Sequence, residues 1–480
     1  MTAATRVWSA TAAYALLYSA LGCIRYVTYH AGSDLGLFTQ SIATVLTGFS
    51  NTTEGGSHFT YHFSPLLYVC APALIATHSP LALVALQAIA GALVAPPLYL
   101  IARKRIPEPL AAGVAFVALL YPPLAGVTFA DFHENGFAPA ATLWLLWAVD
   151  AGRLRLAAIL TLVALAIKED QAVLLAFAGL AGAVAYARAG DARRARFCGA
   201  TAVFAVATLV TFFTLVRPAA GATAPWAPTH FYAWGPLDAR GQTPWYSVGR
   251  PAYVLEAFVP LAFAAFATPA IVLALPGFAE VLASHESITY TMGQHYAGIW
   301  IGYVLFAFAL GIGRLYARSP QLGTRAVRAA LVLCALVLAF ASPTHWGHYL
   351  RARSAHDAAR DRVLARLVPD LEVGVSDALY AHLGFDRRAM LGLERAPRFA
   401  LIDVKDRSSY VDATWAPVVA AGARTGAYRL LWSDDGLGLY ERRGGTVGAG
   451  AKSVSDGRGA GTVGTGARDR RAVARGGRHE

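Results

Sequence analysis

Charge is what this chain has least of. Only 15% of its 480 residues are Asp, Glu, Lys or Arg, against 56% hydrophobic, and the mean hydropathy is +0.45. Soluble domains carry about 25% charged residues, so a soluble domain is excluded. Cysteine is scarce as well: Cys23, Cys70, Cys198 and Cys334 stand singly inside apolar runs. None has the spacing of a metal or redox motif, which leaves core packing as their role. Acids are the minority charge, 29 against 41 Lys and Arg, for a net charge of +12. That excess does not point to nucleic acid. The arginines sit in short connections, "ARKR" at 102–105, "GRLR" at 152–155, "ARAGDARRARF" at 187–197 and "GRLYARSP" at 313–320, as cytoplasmic loops of membrane proteins do. The basic C-terminal part lacks the interleaved aromatics of single-strand binding.

What is abundant is apolar sequence. Blocks long enough to cross a bilayer, about 20 residues each, recur over the first 342 residues. The chain reads as an all-α polytopic protein of the cell membrane. Val7–Ile24 has the length of a retained signal anchor and no small-residue cleavage pattern before Arg25. With the arginine clusters inside, about 11 membrane segments are expected, counting 253–283, which contains Pro260, Pro269 and Pro276, as two. Phe63–Thr77 is too short and proline-interrupted to cross, and is expected on the outer face. In 35–49 Leu35, Phe38, Ile42, Val45, Leu46 and Phe49 share one helical face. An interfacial helix is expected there, its polar face toward water.

Three regions follow from composition: a transmembrane domain over 1–342 with a structured outer loop at 27–80, a small extracytoplasmic α/β domain over 343–443, and a Gly-, Ala- and Arg-rich tail at 444–480 expected to be disordered. Within the second, a helix is expected at 352–368, strands at "EVGVSD" and 398–404, and a hairpin turning at Asp435–Gly436.

The polar residues that are not cytoplasmic arginines converge on the outer side. Four loops bring Asp34, His58 and His62; Asp131, His133 and Glu134; Lys168, Glu169 and Asp170; and His285, Glu286, His295 and Tyr296. Each has a plainer reading. Asp34 stands where an N-cap would, Asp131 where an Asx turn would, and Lys168 to Asp170 where a helix flank would snorkel. Asn51-Thr52-Thr53 is a glycosylation sequon of a kind that arises readily by chance. The same groups also suit transfer from a phosphate-linked donor: a carboxylate as general base, with lysine and histidine facing the departing phosphate. A divalent metal stays open as a cofactor, since His58, His62, His133 and carboxylates are ligand types, but no paired-histidine helical spacing supports one.

In order along the chain, "SDLGLFTQ" with "HFSPLL", "DFHENG" after "LLYPPLAG", "AIKEDQAVL" and a late "GQHYAG" resemble the signature blocks of a bacterial and archaeal membrane family, domain of unknown function 2079. The resemblance spans roughly residues 8–443. That family more remotely resembles the GT-C superfamily of polyprenyl-phosphate-sugar glycosyltransferases. There an acid in the first outer loop is the catalytic base, a position Asp34 matches. Asp131 falls where a second outer-loop acid is common. GT-C members often carry an acid pair at the first position, whereas Leu35 follows Asp34 here. The resemblance implies an integral membrane glycosyltransferase that moves a sugar from a lipid-linked donor to an extracytoplasmic glycan or protein acceptor. Asp34 would be the base and Lys168 and His295 the phosphate contacts. Asp131, His133 and Glu169 would shape the site, with His58, His62, Glu134, Asp170 and Tyr296 on the substrate. Two other readings stand beside it. One is a transporter or flippase of an envelope precursor, whose charges belong near mid-membrane. The other is a non-catalytic scaffold.

Overall fold

The computed structural model describes residues 1–232, 246–406 and 409–443. The tail expected at 444–480 lies outside them. Helix α1 (Ala3–Val27) opens on a Thr2 cap that accepts a hydrogen bond from the Thr5 amide. Among the described residues six helices are long and apolar enough to cross a membrane, or seven if the pair Glu108–Leu119 and Pro122–Phe129, bent by 47°, is one span. This falls short of the 11 expected. Leu154–Leu165 and Pro269–Ala283 are too short, and so is Ala138–Asp150 at 13 residues. Between Phe258 and Leu275 the chain breaks into single turns, with Ala262 and Phe263 in the left-handed region. Prolines 260, 269 and 276 each remove a backbone donor, so no straight span forms there.

Burial sorts the helices. The His295–Arg318 span is 89% buried and forms the hub, whereas Ala192–Ala219 is 11% buried. An apolar helix with so much bare surface belongs against lipid. The arginine clusters meet at one end. Lys104 and Arg105 pair with Asp150, Arg194 donates to the Val149 and Asp150 carbonyls, and Gly313 packs on Arg105.

After α1, helix α2 (Ser33–Ala43) is followed by a small hairpin, β1 (Ser50–Asn51) and β2 (Gly56–Ser57), then α3 (Leu67–Thr77) and α4 (Leu81–Ala92). The helix ends at Ala43 and not at 49, leaving Leu46 exposed, and its apolar face lies against protein, with Leu35, Phe38 and Ile42 buried among Phe49, Leu67 and Leu74. Its polar face does not meet water. Thr39, Gln40 and Ser41 are buried, covered by the C-terminal region. Asn51 is buried too and donates to Ser41 and Glu54, so the sequon is engaged in the fold.

The C-terminal region holds a five-stranded sheet, β3 (Val373–Val375), β4 (Ala389–Leu391), β5 (Phe399–Asp403), β6 (Tyr428–Asp434) and β7 (Leu437–Arg442), in the order β4-β3-β5-β7-β6. β3 lies parallel to β4 and β5, and β7 antiparallel to β5 and β6. The hairpin turns at Asp435 and Gly436, both at positive φ, the geometry that Asp-Gly favours. Beside the sheet lie the helices Ala355–Leu364 and Tyr410–Thr425.

Candidate active site

α2 begins at Gly32, which caps it without a side chain. The missing oxygen comes from 99 residues away. Asp131 accepts from the Gly32 amide through Oδ1 at 3.1 Å and from the Leu35 amide through Oδ2 at 3.0 Å. A β-carbon at Gly32 would stand 2.9 Å from that carboxylate, so glycine is what permits the approach. Asp34 is therefore not the cap. It sits one residue inside the first turn, buried at 8% exposure. Burial pushes its carboxyl well above the usual range. Asp131 and Glu134 push the same way, with Lys168 and Arg25 opposing them.

The loop carrying Asp131, His133 and Glu134 is held by Gln87 of α4. Its buried amide donates to the carbonyls of Val127, Thr128, Ala130 and Asp131 and accepts from the His133 amide. Glu134 lies 3.2 Å from the His133 ring and 3.7 Å from the Lys168 ammonium. His133 stacks on His295 with ring centres 3.5 Å apart and planes 4° apart. Burial, then His295 and Lys168, hold His133 well below the usual histidine range, so it is neutral. Tyr296 leans on His295, centres 4.1 Å apart.

Lys168 is kept charged. Burial opposes ionisation, but Glu134, Asp170 and Glu169 outweigh it and raise its pKa. Glu169 is held down to about 2: burial works against it, yet His62, Lys168 and the Phe63 amide prevail. His62 donates to Glu169 at 2.8 Å and the Phe63 amide at 2.7 Å. His58 is buried and donates to Glu54 at 2.9 Å. Burial disfavours its charge, but Glu54 raises its pKa on balance. Phe38 of α2 contacts both His58 and His133, with ring centres 5.5 and 5.2 Å away.

His133, Glu134, Lys168, Glu169, His62 and His295 are thus joined by ion pairs and ring stacking, with Asp34 within electrostatic reach of Asp131, Glu134 and Lys168. His285 and Glu286 pair with each other at 3.4 Å. Among the described residues, the Asn135 amide, one Asp170 oxygen, Gln171 Oε1 and His58 Nε2 have no hydrogen-bond partner, and neither have the Glu134 oxygens beyond the close approach of His133 and Lys168. Buried polar atoms left so are costly, and a polyhydroxylated ligand would satisfy them. Among the described residues no three His, Cys, Asp or Glu side chains gather as a set that could hold a metal. Several participants escaped the reading of the sequence. Glu54 looks like an ordinary loop acid, and Gln87 is a lone polar residue in an apolar run. Glu280 lies within electrostatic reach of Asp170 and Lys168. An acid inside the apolar "PGFAEVLA" was the available signal for it.

This arrangement has counterparts in fold. ArnT from Cupriavidus metallidurans bound to undecaprenyl phosphate superposes with a TM-score of 0.57 at 13% identity, covering 90% of this chain and 97% of that one. The apo form gives 0.53 at 14%, covering 89% and 98%. The apo oligosaccharyltransferase of Archaeoglobus fulgidus gives 0.42 at 13%, covering 80% and 65%. No curated protein matches the sequence. At these identities the likeness to ArnT speaks for the fold, a GT-C-like helical bundle with a small sheet domain. The family model described as Predicted membrane protein (DUF2079) matches residues 25–356. That stretch holds the capped helix, the glutamine-braced loop and the buried lysine, and by that match the chain belongs to this family.

Proposed function

We propose that this protein is an integral membrane glycosyltransferase that takes a sugar from a lipid-phosphate donor and passes it to an extracytoplasmic acceptor. The observation that carries the reading is Asp34: a buried carboxyl with a raised pKa, fixed in the first turn of a helix whose amides Asp131 ties down. A general base works best with its pKa near the working pH, and burial moves Asp34 toward it. In the reaction, Asp34 takes the proton of an acceptor hydroxyl while the oxygen attacks the anomeric carbon. The bond from that carbon to the phosphate oxygen breaks, and the lipid phosphate leaves with the electron pair. Lys168, permanently charged, faces the growing negative charge, with His295 beside it. The orphaned atoms of Glu134, Asn135 and Gln171 are suited to sugar hydroxyls. ArnT, which shares the fold, is seen with undecaprenyl phosphate, and a polyprenyl carrier is the donor proposed here.

The test is sugar transfer by the purified protein in liposomes with a polyprenyl-phosphate-sugar donor. The Asp34→Asn variant should lose about 10²–10⁴-fold in rate while melting no lower than wild type. An Asn variant that transfers at the wild-type rate would remove Asp34 from the reaction. Wild type that binds donor and transfers nothing would overturn the reading as a whole.

A further inference from the structure

The helix that carries Asp34 is gripped by a part of the chain more than 300 residues away. Gln40, on α2, donates through its amide to the carbonyls of Asp386 and Ala389 at 2.6 and 3.3 Å. Its oxygen accepts from the Tyr380 hydroxyl at 2.9 Å and from the Thr52 amide at 2.6 Å. Thr53 in turn donates to the Tyr380 oxygen at 3.1 Å. Both Gln40 and Tyr380 are buried. The backbones meet directly: a β-carbon at Gly36 would stand 2.6 Å from the Tyr380 carbonyl oxygen, and one at Gly384 would stand 2.6 Å from Thr39. Gly36 is two residues from Asp34.

A second grip holds the segment that leads into α2. Tyr29 lies in the left-handed region at φ 60°, strained for an aromatic residue. Its hydroxyl donates to Asp361 at 2.6 Å. The His382 ring stacks on both Tyr26 and Tyr29, centres 4.0 and 4.2 Å away, and Arg351 donates to the Thr28 carbonyl. Strain of this kind persists only where surroundings hold it, and here the C-terminal region does so. The Asp34 loop is thus fixed on two sides by a sheet domain that is separate from it in sequence.

Resting on the reading of Asp34 as the base, we propose that Tyr380 is a positioning residue for it. Through Gln40 and Gly36, the C-terminal domain sets where α2 stands, and so where the carboxylate meets the acceptor. The domain then acts on the chemical step and not on capture of the donor. A shift of about 1 Å in a catalytic group costs about 100-fold in rate. Loss of one hydroxyl, with the ring retained, belongs below that figure.

The experiment compares wild type with Tyr380→Phe, which removes the hydroxyl and keeps the ring against Gly36, and with Gly36→Ala, which forces the two backbones apart. Arg362→Ala, at the exposed pair with Asp434, controls for perturbing the same domain elsewhere. Tyr380→Phe should lower kcat about tenfold with donor KM unchanged, and Gly36→Ala should lower it further. In both variants amide exchange should accelerate within 35–43, and Arg362→Ala should change neither quantity. A Tyr380→Phe enzyme with wild-type kcat, or one altered only in KM, overturns the proposal. If wild type transfers no sugar, the glycosyltransferase reading fails by itself and the exchange arm decides alone. Faster exchange in 35–43 upholds the grip, and unchanged exchange overturns it.

Discussion

Asp34 and Asp131 are both loop acids between apolar runs in the sequence, and their carboxylates are put to different uses. Asp131 spends its two oxygens on the amides of Gly32 and Leu35, which frees Asp34 from any capping duty. Asp131→Ala should therefore cost about 1–2 kcal/mol, read as a lower melting temperature, and Asp131→Asn, which keeps one of the two acceptors, should lower it as well. Asp34→Asn should not lower melting, and at neutral pH should raise it, because burial disfavours the ionised carboxyl. In wild type the transfer rate should rise with pH through a midpoint well above 3.8, because only ionised Asp34 takes a proton and burial raises its pKa. Elsewhere two acids give opposite stability slopes. Glu169, held down to about 2 from 4.5, contributes stability that is complete above about pH 4.5 and lost as pH falls through about 2. Asp412 is pushed up to about 7 from 3.8, by burial first and then by Asp403, Asp406 and Asp377. Its protonated form is the one the fold prefers, so its contribution is complete below about pH 4 and lost as pH rises through about 7. Asp412→Asn should flatten that fall in melting temperature between pH 4 and pH 8; an unchanged slope would remove Asp412 as its source.

Among the elements, those set by local periodicity and turn chemistry were readable. The apolar face of α2, from Leu35 to Ile42, and the Asp435–Gly436 hairpin both follow from spacing and from residues that tolerate positive φ. What covers an element was not readable. The polar face of α2, with Thr39, Gln40 and Ser41, satisfies the pattern of a helix facing water equally well. Only the distant Tyr380 and Asp386 show that it faces protein. Gln87 is a second case, since one polar side chain in an apolar helix carries no mark of its partners. It joins four carbonyls and one amide at the point where the bent span gives way to the Asp131 loop. Gln87→Leu keeps the volume and removes every one of those bonds. It should lower stability by about 1–3 kcal/mol, the cost of buried polar groups left unpaired, measured by thermal melting in detergent. A variant that melts with wild type would mean the loop holds its shape without the glutamine.

Across the whole molecule, the candidate site was readable as a list of residue types and the span count was not. Acids and histidines cluster in loops between apolar runs, and long-range packing then joins them, as in the His133–His295 stack across 162 positions. The count of spans depends instead on where apolar helices stop, and Ala138–Asp150, Leu154–Leu165 and Pro269–Ala283 all stop short of membrane length. The Lys104, Asp150, Arg194 and Arg105 contacts gather the basic loops at one end. The Asp34 loop and the C-terminal domain are bound to each other and so share a side of the membrane. Positive loops stay cytoplasmic, which sets the expected direction. Single cysteines replacing the exposed residues Lys104, Arg155 and Arg193 should resist an impermeant thiol reagent in intact cells. Cysteines replacing the exposed Thr47 and Arg398 should label with it. Thr47 and Arg398 must behave alike, because Arg395 donates to the Thr53 carbonyl across the same contact. Labelling at Arg193 with protection at Arg398 would invert the protein in the membrane. It would place the buried network on the cytoplasmic side, where a donor carried on the outer leaflet cannot reach it.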